Sequence, residues 1–221
     1  MSKDDWGFTT GAKRKYYSLD LYLEHPFDGK WFGRFDYTFS KSYGNTEGQV
    51  KSDIGQNDIS KTQDWDAAAL MVHSNGLLAN DRKHQFKAYG SYQMTPEWMF
   101  SGSMRITSGA PKSCLGFFGP NDDDPISYGS SYHSCAGKLY APGEQRMPWF
   151  KQLDLSVEYR PAFADHKLAF GLQVFNVTNE RKPLLNDYVY EDDRFTVSNT
   201  YGAGLYYQTP RYARLTASYD F

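Results

Sequence analysis

Seven stretches of the chain alternate apolar and polar residues with a period of two, the signature of strands whose successive side chains face opposite sides. The first runs from about Lys13 to His25, with Tyr17, Leu19, Leu21 and Leu23 on one face and Ser18, Asp20, Tyr22 and Glu24 on the other. The second, about Trp31 to Tyr43, sets Trp31, Gly33, Phe35, Tyr37 and Phe39 against Phe32, Arg34, Asp36, Thr38 and Ser40. Strands at about His84 to Gln93, Glu97 to Thr107, Phe150 to Arg160 and Lys167 to Asn176 follow. The last fills Arg211 to Phe221, where Leu215, Ala217, Tyr219 and Phe221 alternate with Arg214, Thr216, Ser218 and Asp220. Each is close to the roughly nine to eleven residues with which a tilted strand crosses a bilayer.

The connections sort by length. Pro26 to Lys30, Met94 to Pro96 and Pro161 to His166 are short, and each carries a Pro in a turn position. The other three, roughly residues 44–83, 108–149 and 177–210, exceed thirty residues each, a length that in compact domains signals function or disorder. Strict short-long alternation predicts an all-β, antiparallel transmembrane β-barrel segment with tight periplasmic turns and long extracellular loops. Counting back from Phe221, all three short turns fall on one side. Trp31, Tyr92, Trp98, Tyr159 and Tyr219 lie near the short turns, and Tyr43 and Trp149 near the long loops, as two interfacial girdles would. A soluble β-sandwich is the competing reading, and it gives no reason for the loops to sort this way.

Composition acts by exclusion. The 221 residues hold 18 Tyr, 15 Phe and 5 Trp, yet mean hydropathy is −0.68 and the hydrophobic fraction 40%. That combination fits a barrel, where apolar residues take every second position and polar loops dilute the average. No stretch approaches the roughly 18–20 apolar residues of a spanning helix, which leaves a closed barrel as the spanning option. A net charge of −2 with scattered Lys and Arg argues against nucleic acid as a partner. The first residues, Met1 to Gly7, lack a signal peptide's apolar core, so an export signal is expected upstream of Met1.

Candidate chemistry is sparse. Cys114 and Cys135, the only cysteines, share the loop at 108–149, and outside the cytoplasm such a pair is expected to form a disulfide; free thiols and metal ligation are the alternatives. The acidic runs Asp122 to Asp124 and Glu191 to Asp193 lack the spacing of a calcium loop and read as solvated charge, so no metal and no cofactor is expected. Asn176-Val177-Thr178 matches a glycosylation acceptor, without meaning at a bacterial strand end. Hydrolase, metalloprotease and phosphate-cradling motifs are missing, which argues against an enzyme. Phe117, Phe118, Tyr128, Tyr132 and Tyr201 are candidate ligand contacts in the loops, with loop packing the equal alternative.

Several segments resemble a known family. Arg82 to Phe86 leads into the third strand, Thr107-Ser108-Gly109-Ala110-Pro111 leaves the fourth, and Met147 to Val157 carries the fifth. Phe175-Asn176-Val177-Thr178-Asn179 follows the sixth, and Pro210 to Phe221 completes the set. In order and spacing these are similar to the C-terminal third of a TonB-dependent outer-membrane receptor, most like the Oar-like branch, over essentially the whole chain. The resemblance implies a 22-stranded barrel in the Gram-negative outer membrane, an N-terminal plug, and TonB-driven uptake of a scarce ligand such as an iron chelate, cobalamin or a glycan. Nothing in residues 1–221 matches the plug or the TonB-contacting segment, so TonB is expected as a partner only through regions outside this chain, and the small ligand is not legible. The resemblance also implies that Leu215, Ala217, Tyr219 and Phe221 form a signal for the barrel-assembly machinery, read by strand pairing, with outer-membrane lipid against the apolar face. Seven strands is an odd number where bacterial single-chain barrels use even counts, so closure by these strands alone is not expected. Two other readings stay open: a small self-contained outer-membrane barrel or adhesin in which residues 4–11 add an eighth strand, and a soluble secreted carbohydrate-binding β-domain.

Overall fold

The computed structural model describes residues 7–56, 64–117, 132–136, 138–193 and 195–221. Its frame is a meander of seven long strands: β1 (Arg14–His25), β2 (Trp31–Gly44), β3 (His84–Gln93), β4 (Trp98–Thr107), β5 (Phe150–Tyr159), β6 (Leu168–Phe175) and β7 (Tyr212–Tyr219). They lie in chain order in one sheet, every neighbouring pair antiparallel. The expected strands are all present, their ends displaced by at most two residues. At the roughly 40° tilt of outer-membrane barrels, ten residues rise about 25 Å, the height of the apolar band of such a wall.

Register carries one apolar face across the whole sheet. Leu21 opposes Tyr37, Tyr37 opposes Phe86, and Phe86 opposes Ile106. Nearer the short turns, Phe100 opposes Val157, Val157 opposes Leu172, and Leu172 opposes Leu215. The other face is a polar row in the same register: Ser91 with Ser101, Ser101 with Ser156, Ser156 with Gln173. Because strand side chains alternate, a slip of one residue anywhere would exchange the faces. One glycine lets a ring lie flat on the apolar face: a Cβ at Gly33 would come within 2.9 Å of the Trp31 ring, and that ring stacks on His25 with centroids 3.7 Å apart.

The short turns have local causes. In the β1–β2 turn, Asp28 Oδ1 accepts from the backbone N–H of Lys30 at 2.8 Å and of Trp31 at 2.9 Å, an Asx turn whose backbone donors hold the Asp28 carboxyl below its usual range. In the β3–β4 turn Thr95 Oγ1 accepts from Trp98 N at 3.2 Å. The β5–β6 turn is a single 3-10 turn, Ala162–Ala164, closed by Asp165 and His166 in the left-handed region.

Burial is inverted relative to a soluble domain. Leu19, Leu21, Leu23, Phe35, Phe100, Leu155, Phe170 and Leu215 on the strands are all exposed, Leu215 by 80%. Of the buried apolar residues only Ala169 belongs to a long strand; Leu70, Met71, Leu78, Leu115, Met147 and Tyr188 lie in the long connections. An apolar sheet face this extensive needs a nonaqueous neighbour. The long connections hold more order than the alternation of residues suggests: short hairpins pair Pro183–Asn186 with Gly204–Tyr207, Glu191–Asp193 with Thr196–Val197, and Ser134–Cys135 with Lys138–Leu139. Such short pieces have too few alternating positions to stand out in a sequence.

Candidate functional site: the loop cluster over the polar face

The three long loops converge at one end of the sheet and fold onto its polar side. Ser40, Ser42 and Thr107, polar-face residues at that end of β2 and β4, are 2%, 2% and 3% exposed. Ser40 Oγ donates to the carbonyl of Arg82 at 2.8 Å, and Gln208 Nε2 donates to the carbonyl of Lys151 at 2.7 Å, so the first and third loops are seated on strands. Leu115 pairs in parallel with Val189, joining the second loop to the third, and Gly116 pairs with Tyr132 within the second.

Asp81 is the junction of the first two loops. Its carboxylate, 1% exposed, accepts from Ser42 N at 2.6 Å and from Arg146 Nη2 at 2.5 Å, while Arg146 Nη1 donates to the carbonyl of Gly109 at 3.0 Å. A second buried polar group lies beside it. Lys51 pairs with Asp64 at 2.9 Å, Ser113 Oγ donates to Asp53 Oδ2 at 2.9 Å, and His133 is buried. Burial, reinforced by the Lys51 charge, pushes the His133 imidazole down to about 3, so it is neutral at any physiological pH. Burial, with the Asp53 charge adding, pushes the Tyr188 phenol up to about 12.

The candidate residues named from sequence separate here. Cys114 and Cys135 stand bonded, Cα atoms 5.6 Å apart, clasping the base of the second loop. Tyr132 is 1% exposed and packs with Ala67 and Leu70 of the first loop, so its ring is core of the loop cluster and not a ligand-facing surface. Phe117 is held at its backbone, its N–H donating to Glu191 Oε2 at 3.0 Å; Glu191 is buried, and the acidic run at 191–193 thereby acts in part as a loop brace. Tyr201 remains accessible and meets Tyr190 edge to face at 5.1 Å. Phe118, Tyr128 and the acidic run at Asp122 to Asp124 lie outside the described residues. Leu215, Ala217, Tyr219 and Phe221 are exposed on or just beyond the edge strand β7, whose free side pairs with nothing among the described residues. Among the described residues no three His, Cys, Asp or Glu side chains gather as a metal ligand set.

The pairing of Asp81 with Arg146 is not legible in the sequence because partners 65 residues apart leave no local pattern. The usable signal was position: charged residues immediately outside a strand's end, where a long loop must be anchored.

No family model matches the chain. It is 28% identical over 172 residues to the TonB-dependent transporter Oar of Myxococcus xanthus, a match that covers 75% of this chain and 15% of that protein. In fold it is similar to the outer membrane transporter YddB from Escherichia coli, with a TM-score of 0.58 at 15% identity over 95% of this chain and 26% of that one. The ferric-catecholate import receptor Fiu from Escherichia coli K12, in its closed form, superimposes with a TM-score of 0.56 at 15% identity over 95% of this chain and 21% of the receptor. The chain thus spans about one seventh of the length of its curated relative and about a quarter or less of these structures. In sequence the chain is similar to a TonB-dependent transporter, and in fold to the barrel wall of outer-membrane receptors and transporters.

Proposed function

We propose that residues 1–221 form a C-terminal wall section of a TonB-dependent uptake receptor, contributing seven strands to a larger barrel and three loops to its ligand-facing mouth. The observation that carries this reading is the unbroken apolar face from Leu21 to Leu215, backed by a polar face, on a sheet whose outer strands β1 and β7 do not pair with each other. An open sheet edge is not tolerated in hydrocarbon, so further strands must join both sides. A self-contained barrel closed by residues 4–11 as an eighth strand finds no support at residues 7–11, which form no strand, and the secreted-domain reading would leave Leu215 and Phe100 in water. The protein acts by binding and transport. Its assembly is directed by the alternating Leu215, Ala217, Tyr219 and Phe221, and TonB engages a part of the protein beyond these strands.

The test is uptake and topology together. In the parent organism, proteinase K applied to intact cells should cut within the long loops and spare the three short turns. Loss of the gene and loss of TonB should abolish accumulation of the same compound, screened among radiolabelled iron chelates, cobalamin and oligosaccharides. Cleavage at the short turns in intact cells, or accumulation that survives removal of TonB, would sink the reading.

A further inference from the structure

On the polar side of the sheet, where β4 and β5 meet the loops, lies a cavity of about 210 Å³. Arg82 and Arg105 line it together with Thr107, Met147, Phe150 and Leu184. Arg105 projects from β4 with its guanidinium over the Phe150 ring, 5.6 Å from the centroid. Its cross-strand neighbours are Lys87 on β3 and Gln152 on β5, so no carboxylate stands opposite it on either side. Arg82 gives Nη1 to two backbone carbonyls, of Ala79 at 2.9 Å and Asp81 at 2.7 Å, which are neutral acceptors. The Asp81 carboxylate is already engaged by Arg146 and by Ser42 N. Arg82 therefore stands within reach of the like charges of both Arg105 and Arg146, with the Asp81 carboxylate acting against them. The Thr107 hydroxyl in the same wall is buried without a hydrogen-bond partner.

Arg82 is half-buried beside the exposed Arg105, and a like charge held next to a partly desolvated one is costly unless something of opposite sign joins them. Guanidiniums present donors in a planar fork that matches phosphate and carboxylate oxygens. Ser108 Oγ in the same wall already accepts from His84 N at 3.0 Å, and the apolar Met147, Phe150 and Leu184 lower the local dielectric, which strengthens the attraction. We propose that this cavity binds a small multivalent oxyanion, a phosphate- or carboxylate-bearing ligand, clamped between the Arg82 and Arg105 guanidiniums. The inference rests on the barrel reading only for its route of access, since the cavity opens on the face assigned to the lumen.

The experiment is calorimetric titration of the intact detergent-solubilised protein with inorganic pyrophosphate and, separately, citrate at low ionic strength, where charge pairing is least screened. The expected result is saturable binding of at least one of them, with the better probe distinguishing phosphate from carboxylate recognition. Arg105→Gln should weaken it about tenfold or more, as loss of a charge-assisted contact does, and Arg105→Lys should restore part of it. Arg214→Gln, which removes a polar-face arginine of β7 that engages Gln173, should bind as the wild type. Two results overturn the proposal: no saturable binding, as an acidic side chain from another part of the protein seated between the arginines would give, or equal affinities in the wild type and Arg105→Gln. Insertion into bilayers is read independently by heat-modifiable migration on gels, so a protein that inserts but ignores both probes removes the anion site and leaves the barrel standing.

Discussion

Asp81 and Arg146 meet at 2.5 Å although 65 residues separate them, and their pairing joins the end of the first long loop to the end of the second. The carboxylate is 1% exposed while the Arg146 side chain keeps 27% of its surface in water. Removing the carboxylate strands a guanidinium and the Ser42 N–H together. Asp81→Ala is expected to destabilise the loop cluster by roughly 3 kcal/mol, the low end for breaking a buried pair because Arg146 can turn to solvent. Arg146→Ala on the Asp81→Ala background should cost much less than it does alone. Hydrogen exchange read by mass spectrometry checks this: protection should fall in residues 64–83 and 108–117, and stay as in the wild type in β6 and β7.

The barrel wall was readable because its physics is local. Trp31, Trp98 and Phe150 each begin a strand where an apolar-polar alternation begins, and two-residue periodicity specifies both strand and face. The loop cluster was not readable, for the converse reason. An aromatic loop residue such as Tyr132 fits ligand contact and loop packing equally well in the sequence, and its ring fills a small core with Ala67 and Leu70, some sixty residues earlier in the chain. Nothing periodic marks such a contact. The hairpin of Pro183–Asn186 with Gly204–Tyr207 is irregular in register as well as short, which erases the alternation that would announce it.

The Cys114–Cys135 bond, with a sequence separation of 21, encloses the part of the second loop that includes Phe117. Closing a loop of that size restricts the unfolded segment by roughly 3 kcal/mol in the chain-entropy model. Reduction, or Cys135→Ser, is expected to open residues 111–142 to trypsin at least tenfold faster, cutting first at Lys112 and Lys138, while the seven strands remain resistant. Mass mapping of the fragments with and without reductant decides it; an unchanged cleavage pattern would show that the packing of Leu115 against Tyr188 and Val189 suffices to hold the loop.

His133 should make the same cluster sensitive to acid. Its imidazole is pushed from 6.5 to about 3, chiefly by burial and then by Lys51, with the nearby His73 acting in the same direction and Asp64 against them. The folded state therefore resists a proton that the unfolded loop accepts. The stability this group contributes is complete above pH 6.5 and declines as pH falls from 6.5 toward 3. Exchange protection at Tyr140, whose N–H donates to the His133 carbonyl at 3.0 Å, is expected to fall over that window after correction for intrinsic rates. His133→Gln should flatten the dependence, at some loss of stability at neutral pH, and a profile as steep as the wild type's would assign the acid sensitivity to other groups.

Adjacent residues Phe100 and Ser101 on β4 test the inside-out architecture most directly. Phe100 lies between Tyr92 and Val157 on the apolar face, and Ser101 between Ser91 and Ser156 on the polar one. If hydrocarbon covers the first and water the second, the same substitution must have opposite consequences one position apart. Phe100 lies nearer the short turns than the midplane, so Phe100→Arg is expected to cost roughly 1–2 kcal/mol, between the midplane and interface penalties for a cation on the lipid face of a barrel. Ser101→Arg should stay within about 0.5 kcal/mol of the wild type, as a substitution in a solvated wall does. Reversible unfolding in phospholipid vesicles, followed through Trp98 and its neighbouring tryptophans, measures both. Equal costs would mean that the two faces meet the same medium, which the barrel wall forbids; a larger cost for Ser101→Arg would mean that the sheet is mounted the other way round, with the polar row packed and the apolar row in water.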